Sequence, residues 1–110
     1  MISLSSHVLD TGIGKPAEGL DVTLFEEYPS GWKVVCQGTT NSDGRLGDFV
    51  EAGRLKPRFY KLIFDVGGYY AASKTETLYR KVEIEFRVAD GHYHIPLLLS
   101  PFGYSTYRGS

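Results

Sequence analysis

The stretch His92-Tyr93-His94-Ile95-Pro96-Leu97-Leu98-Leu99-Ser100-Pro101-Phe102-Gly103-Tyr104-Ser105-Thr106-Tyr107-Arg108-Gly109-Ser110 decides how the rest of the chain is read. It holds two strand patterns joined by Ser100-Pro101-Phe102-Gly103, with proline second and glycine last, as type I turns prefer. Side chains alternate along a strand, so His94, Pro96 and Leu98 share one face and Tyr93, Ile95 and Leu97 the other. Both faces are largely apolar, yet only one can be the core face of a small antiparallel sheet. The face that carries His94 needs another cover, and a second subunit is the economical candidate.

Working outward, the same period of two recurs at short intervals. Val82 to Val88 alternates cleanly, with Val82, Ile84, Phe86 and Val88 inward, and Asp90-Gly91 predicts a hairpin into His92. Tyr60 to Val66 is a strong strand pattern ending at Gly67-Gly68, and Tyr69 to Leu78 has room for one short helix. Asp21 to Glu27 and Trp32 to Gly38 read as strands, the first with Val22 and Leu24 inward. Ile2 to Asp10 puts Ile2, Leu4 and Val8 on one face and Ser3, Ser5, His7 and Leu9 on the other. Thr11 to Pro16 ends that strand with Gly and Pro punctuation. In the polar turn Thr39 to Arg45, the Asp43-Gly44 step favours positive φ and fixes where Arg45 emerges. The expectation is an all-β, two-sheet sandwich of about seven or eight strands, formed by residues 1–110 as one domain.

Twelve basic and thirteen acidic residues nearly cancel, so nothing marks a surface for nucleic acid or an anionic membrane. No apolar run reaches membrane length. The first residues lack a basic segment followed by an apolar run, which reads as a cytoplasmic chain, or a periplasmic one if a leader has been removed. Cys36 is the single cysteine, which excludes an internal disulfide framework; its place beside Trp32 and Val34 predicts a buried core thiol.

The residues that could do chemistry gather on the second face. His7-Leu9 and His94-Pro96-Leu98 both combine an imidazole with apolar neighbours there, whereas His92, next to a turn, reads as a surface residue. Pro96 cannot donate to a ladder, so its nitrogen must face away from a partner strand or lie at an edge or bulge. It also holds Ile95 extended, fixing the backbone just after His94. No carboxylate stands at ligand spacing to the histidines, so no metal is expected. The residues alone thus give two imidazoles, Arg45 and a tyrosine for one oligomer-facing surface.

The motifs Ser6-His7-Val8-Leu9-Asp10 with Gly14-Lys15-Pro16-Ala17, Thr40-Asn41-Ser42-Asp43-Gly44-Arg45, and Tyr93-His94-Ile95-Pro96-Leu97-Leu98-Leu99-Ser100-Pro101 with the ending Tyr107-Arg108-Gly109-Ser110 together resemble the 5-hydroxyisourate hydrolase family, the transthyretin-related enzymes of urate breakdown. The resemblance spans the whole chain, and the terminal tetrapeptide is its most specific mark. It implies a transthyretin-like sandwich assembled as a homotetramer, with active sites between dimers. It also implies hydrolytic opening of the 5-hydroxyisourate ring to 2-oxo-4-hydroxy-4-carboxy-5-ureidoimidazoline, without metal or organic cofactor. His7, Arg45 and Tyr107 match the family's substrate-contacting positions, and His94 its second essential histidine. Ser110, with its terminal carboxylate, is the residue expected to order water or a histidine.

Ring opening needs a deprotonated water, a stabilised carbonyl oxygen and a protonated leaving nitrogen. Imidazoles titrate near neutrality, so either histidine can be the base and the other the acid. The fork of Arg45 suits a developing oxyanion. A transthyretin-type ligand carrier is the competing reading, opposed by these titratable groups. An adhesive or structural sandwich would leave them unexplained.

Overall fold

A computed structural model describes residues 1–47 and 49–110. The elements run β1 (Ile2–Ser5), β2 (Val8–Asp10), β3 (Lys15–Pro16), β4 (Asp21–Tyr28), β5 (Gly31–Thr39), β6 (Arg58–Phe64), α1 (Val66–Ala72), β7 (Val82–Val88), β8 (Gly91–His94), β9 (Leu97–Ser100) and β10 (Gly103–Thr106). One layer is the antiparallel sheet β5-β4-β6-β7. The other combines β1-β8 with β10-β9-β2-β3. These two pieces form one bent layer, because the amide of Ile95 donates to Ser5 O at 3.0 Å and that of Leu97 to His7 O at 2.9 Å across the gap. The sandwich expected from the alternation is therefore present, its core made by Val8, Leu97 and Leu99 facing Val22, Leu24, Leu62 and Phe64.

The first expected strand is interrupted. Alternating burial persists from Ile2 to Asp10, but ladder pairing breaks at Ser6 and His7, where the buried Ser6 hydroxyl donates to Ile95 O at 2.7 Å. The same break falls at Ile95 and Pro96 on the neighbouring strand. Both strands run parallel, so the amides of Ile95 and Leu97 point to β1 and β2, and the Pro96 nitrogen points the other way, towards β10. Pairing with β10 ends accordingly at Leu97↔Thr106. The final strand thus stops at Thr106 and does not extend to Tyr107.

Three further expectations are corrected. Asp90-Gly91 is a turn, with Gly91 at φ +88°, but it makes no hairpin: β7 pairs with β6, and β8 crosses to the other layer beside β1. The helix starts earlier than Tyr69, because the Asp65 carboxylate accepts from Gly68 N at 3.1 Å and opens the first turn at Val66. Gly67 and Gly68 are needed there for close approach: a Cβ on Gly67 would lie 2.7 Å from Arg80 O. The helix ends at Ala72, before Lys74 turns left-handed at φ 56°. Cys36 is half-buried, not a core thiol, because a register shift opposite Leu24/Phe25 upsets the alternation of β5, an edge strand.

Alternation in β4 carries a charge inward. Glu26 is 1 % exposed and lies among the Arg54 guanidinium (3.0 Å), Arg58 (3.6 Å) and the hydroxyls of Tyr28 and Tyr60. Burial pushes its carboxyl up, but the bonds from Arg54, Tyr28 and Tyr60 outweigh burial and hold it at about 2.

Candidate active site

The parallel register of β1 and β8 pairs Ser3 with His92 and Ser5 with His94. With side chains alternating, all four project from the outer face of the sandwich while Leu4 and Tyr93 turn inward. A continuous hydrogen-bond chain results. Ser3 Oγ meets His92 Nδ1 at 2.6 Å, His92 Nε2 meets Ser5 Oγ at 3.0 Å, and Ser5 Oγ meets His94 Nδ1 at 2.7 Å. His94 is half-buried, and with Nδ1 engaged its Nε2 remains as the second ring nitrogen.

His7 sits at the break between β1 and β2 and forms a single bridge with Arg45. The turn that delivers Arg45 is tied at several points. Asn41 Oδ1 accepts from the amides of Asp43 and Arg45, and Gly44 N donates to Asn41 O. Gly44 has φ +75°, and a Cβ there would lie 2.3 Å from Val8 O. Only glycine allows the turn to reach the strand this closely. His7 Nε2 lies 2.8 Å from Asp43 O, and a carbonyl only accepts. His7 therefore carries its proton on Nε2, which leaves Nδ1 as its basic atom when neutral.

The C-terminal segment returns to the same place. Across the interruption opposite Pro96 the register is kept: Leu97 pairs with Thr106 and His94 with Gly109. Gly109 N donates to His94 O at 2.8 Å, and a Cβ on Gly109 would stand 2.4 Å from His94 Cδ2. The His94 ring thus lies directly on the Gly109 backbone. Arg108 reaches back over the Tyr93 ring, 4.4 Å from its centroid. Tyr107 is 56 % exposed and borders a cavity of about 250 Å³ lined also by Ile84, Phe86, Tyr93 and Arg108. Ser110 is exposed next to Gly109.

Burial, then the charge of Arg45, then that of His7 push the His94 imidazole below its ordinary value. The neutral ring is thereby favoured. The bridge sets His7 beside Arg45, and the charges of both bear on the His94 ring. Among the described residues, no group of three His, Cys, Asp or Glu side chains could hold a metal ion. Ser3 and Ser5 escaped the sequence reading. Their face was legible, but not the parallel register that sets them against the histidines.

Residues 4–109 match the model of the HIUase/Transthyretin family. The chain belongs to that family. It is 41% identical over 109 residues to the 5-hydroxyisourate hydrolase of Salmonella typhimurium, an alignment spanning 97% of this chain and 80% of that relative. The structure of Klebsiella pneumoniae 5-hydroxyisourate hydrolase superposes with a TM-score of 0.90 at 35% identity, covering 100% of both chains. Sea bream transthyretin, solved in complex with thyroxine, superposes with a TM-score of 0.92 at 25% identity, covering 96% of this chain and 93% of that one. The transthyretin-like sandwich implied by the motifs is the fold of this chain. Backbone likeness is similar for the hydrolase and for transthyretin, so the side chains must distinguish them.

Proposed function

We propose that this chain, as one domain over residues 1–110, hydrolyses 5-hydroxyisourate to 2-oxo-4-hydroxy-4-carboxy-5-ureidoimidazoline in urate degradation. The single observation that supports the reading is the His7↔Arg45 bridge beside the hydrogen-bonded ring of His94, on which the charges of both act. Water loses a proton to a neutral imidazole, through His7 Nδ1 or His94 Nε2. The hydroxide adds to the ring carbonyl, and Arg45 stabilises the oxyanion. The amide C–N bond then breaks as the leaving nitrogen takes a proton, either the one just removed from water or one that the other imidazole held at the start and regains from the base. Tyr107 would hydrogen-bond a ring edge, and Ser110 would order the water or a histidine. No cofactor takes part in these steps.

The proposal includes a homotetramer, a dimer of dimers, with the His94 face covered by a second dimer. Its support is the pair of half-buried leucines, Leu9 and Leu98, side by side on the face that carries His94. A cytoplasmic setting fits a lone Cys36 that has no disulfide partner. No helix among the described residues is long and apolar enough to cross a membrane.

The test is the decay of freshly generated 5-hydroxyisourate, followed by ultraviolet absorbance with and without protein, since spontaneous decay occurs. Acceleration in proportion to protein supports hydrolysis. Binding of a thyroxine-like ligand without acceleration would favour the carrier.

A further inference from the structure

We propose that Ser5 and His92 form a proton relay behind His94, carrying the proton taken from water on to the His92 imidazole. The inference rests on the reading of His94 as a catalytic residue. Its basis is the unbroken series Ser3 Oγ, His92 Nδ1, His92 Nε2, Ser5 Oγ, His94 Nδ1, with steps of 2.6, 3.0 and 2.7 Å between residues.

The donor and acceptor inventory permits two complete arrangements of this chain. In one, His94 Nδ1–H donates to Ser5 Oγ, the Ser5 hydroxyl donates to His92 Nε2, and His92 Nδ1–H donates to Ser3 Oγ. His94 Nε2 is then bare and able to accept a proton. In the other, every bond is reversed: Ser3 donates to His92 Nδ1, His92 Nε2–H to Ser5, and the Ser5 hydroxyl to His94 Nδ1. His94 Nε2 then carries a proton and can donate it.

Passing from the first arrangement towards the second recharges the site with balanced protons. His94 Nε2 takes one proton from water as the hydroxide adds to the carbonyl carbon. Its Nδ1 proton passes to Ser5 Oγ, and the Ser5 hydroxyl proton passes to His92 Nε2. His94 stays neutral, and the positive charge appears on His92. The return passage supplies the proton that the leaving nitrogen needs when the C–N bond breaks.

The surroundings of the two rings favour this direction. His94 is half-buried and faces Arg45 and His7, both of which oppose a positive charge on it. In the single chain His92 is exposed, and its neighbours are the hydroxyls of Ser3 and Ser5 and the Arg108 guanidinium, 3.4 Å from its backbone carbonyl. Within the chain, burial penalises a charge on His94 more than one on His92. Ser5 and His92 are thus positioning and relay residues for the ring that meets the substrate.

The experiment compares wild type with Ser5→Ala, Ser5→Thr, His92→Ala and His94→Ala by kcat, KM, pH profile and solvent deuterium isotope effect. Ser5→Ala and His92→Ala should each lower kcat on the order of tenfold or more, with KM little changed and the isotope effect altered. Ser5→Thr, which keeps the hydroxyl, should restore all three. A purely structural part for Ser5 would move the melting temperature and leave the isotope effect alone. Wild-type kcat and isotope effect in His92→Ala, with His94→Ala inactive, would overturn the relay while leaving the site intact. An active His94→Ala would overturn the site and the relay with it. Should Ser5→Ala fail to fold, the exposed His92→Ala decides the question.

Discussion

Gly109→Ala puts one methyl group where the structure leaves no room. The new Cβ would lie 2.4 Å from His94 Cδ2 and 3.2 Å from Cγ. Carbon atoms pack at about 3.5–4.0 Å, so the ring must retreat by roughly 1 Å. Retreat strains the 2.7 Å bond to Ser5 Oγ, and moving the backbone instead strains the 2.8 Å bond from Gly109 N to His94 O. A displacement of about 1 Å in a catalytic group costs on the order of a hundredfold in rate, or about 2.7 kcal/mol of barrier. Alanine keeps the amide at this position, and the backbone there is not left-handed, so the fold should be nearly as stable as before. The assay is turnover of freshly generated 5-hydroxyisourate beside a thermal melt. Wild-type turnover in a folded Gly109→Ala protein would refute the packing of His94 against the terminal segment.

His7→Ala and Arg45→Ala should each lower turnover by about a hundredfold or more while the protein stays folded and associated, checked by absorbance kinetics and light scattering. Because burial, Arg45 and His7 depress the His94 imidazole, the acid limb of kcat/KM should fall below the usual imidazole range as pH drops, read from a pH series. Glu26, held at about 2 against an ordinary 4.5, stabilises the native state above pH 4.5; on the order of 3 kcal/mol is withdrawn as pH falls from there towards 2, measured by urea unfolding across that window. Glu26→Gln should flatten that acid dependence and lower stability at neutral pH by a few kcal/mol, since Arg54 and Arg58 lose their buried partner. Deleting Tyr107 to Ser110, or adding a bulky C-terminal tag, should abolish hydrolysis with little loss of fold, whereas an N-terminal tag should be tolerated better, compared by turnover in matched preparations.

Alternation made most of the core legible, because period-two burial is written residue by residue in stretches such as Ile2 to Asp10 and Val82 to Val88. It could not show which strands pair. Asp90-Gly91 has the chemistry of a hairpin turn, yet β8 leaves β7 for β1, a choice set by long-range packing. The breaks at Ser6-His7 and Ile95-Pro96 were half legible: proline announced one, and its missing donor explains why β10 stops at Thr106. At the proposed site, His7, Arg45 and His94 were marked out by face and motif. Ser3, Ser5 and the engaged ring of His92 were not, since their roles exist only in the parallel register between strands distant in sequence. Glu26 was hidden for a related reason: alternation aimed it inward, but its partners Arg54 and Arg58 lie outside its own strand.

The central claim is that water activated at the His7, Arg45 and His94 cluster opens the substrate ring, and isotope transfer tests it most directly. Hydrolysis of fresh 5-hydroxyisourate in ¹⁸O-labelled water, quenched early and analysed by mass spectrometry, should place one labelled oxygen in the new carboxylate at a rate set by the protein and lost in His94→Ala. An unlabelled carboxylate, or labelling at the same rate in folded His94→Ala, would contradict it.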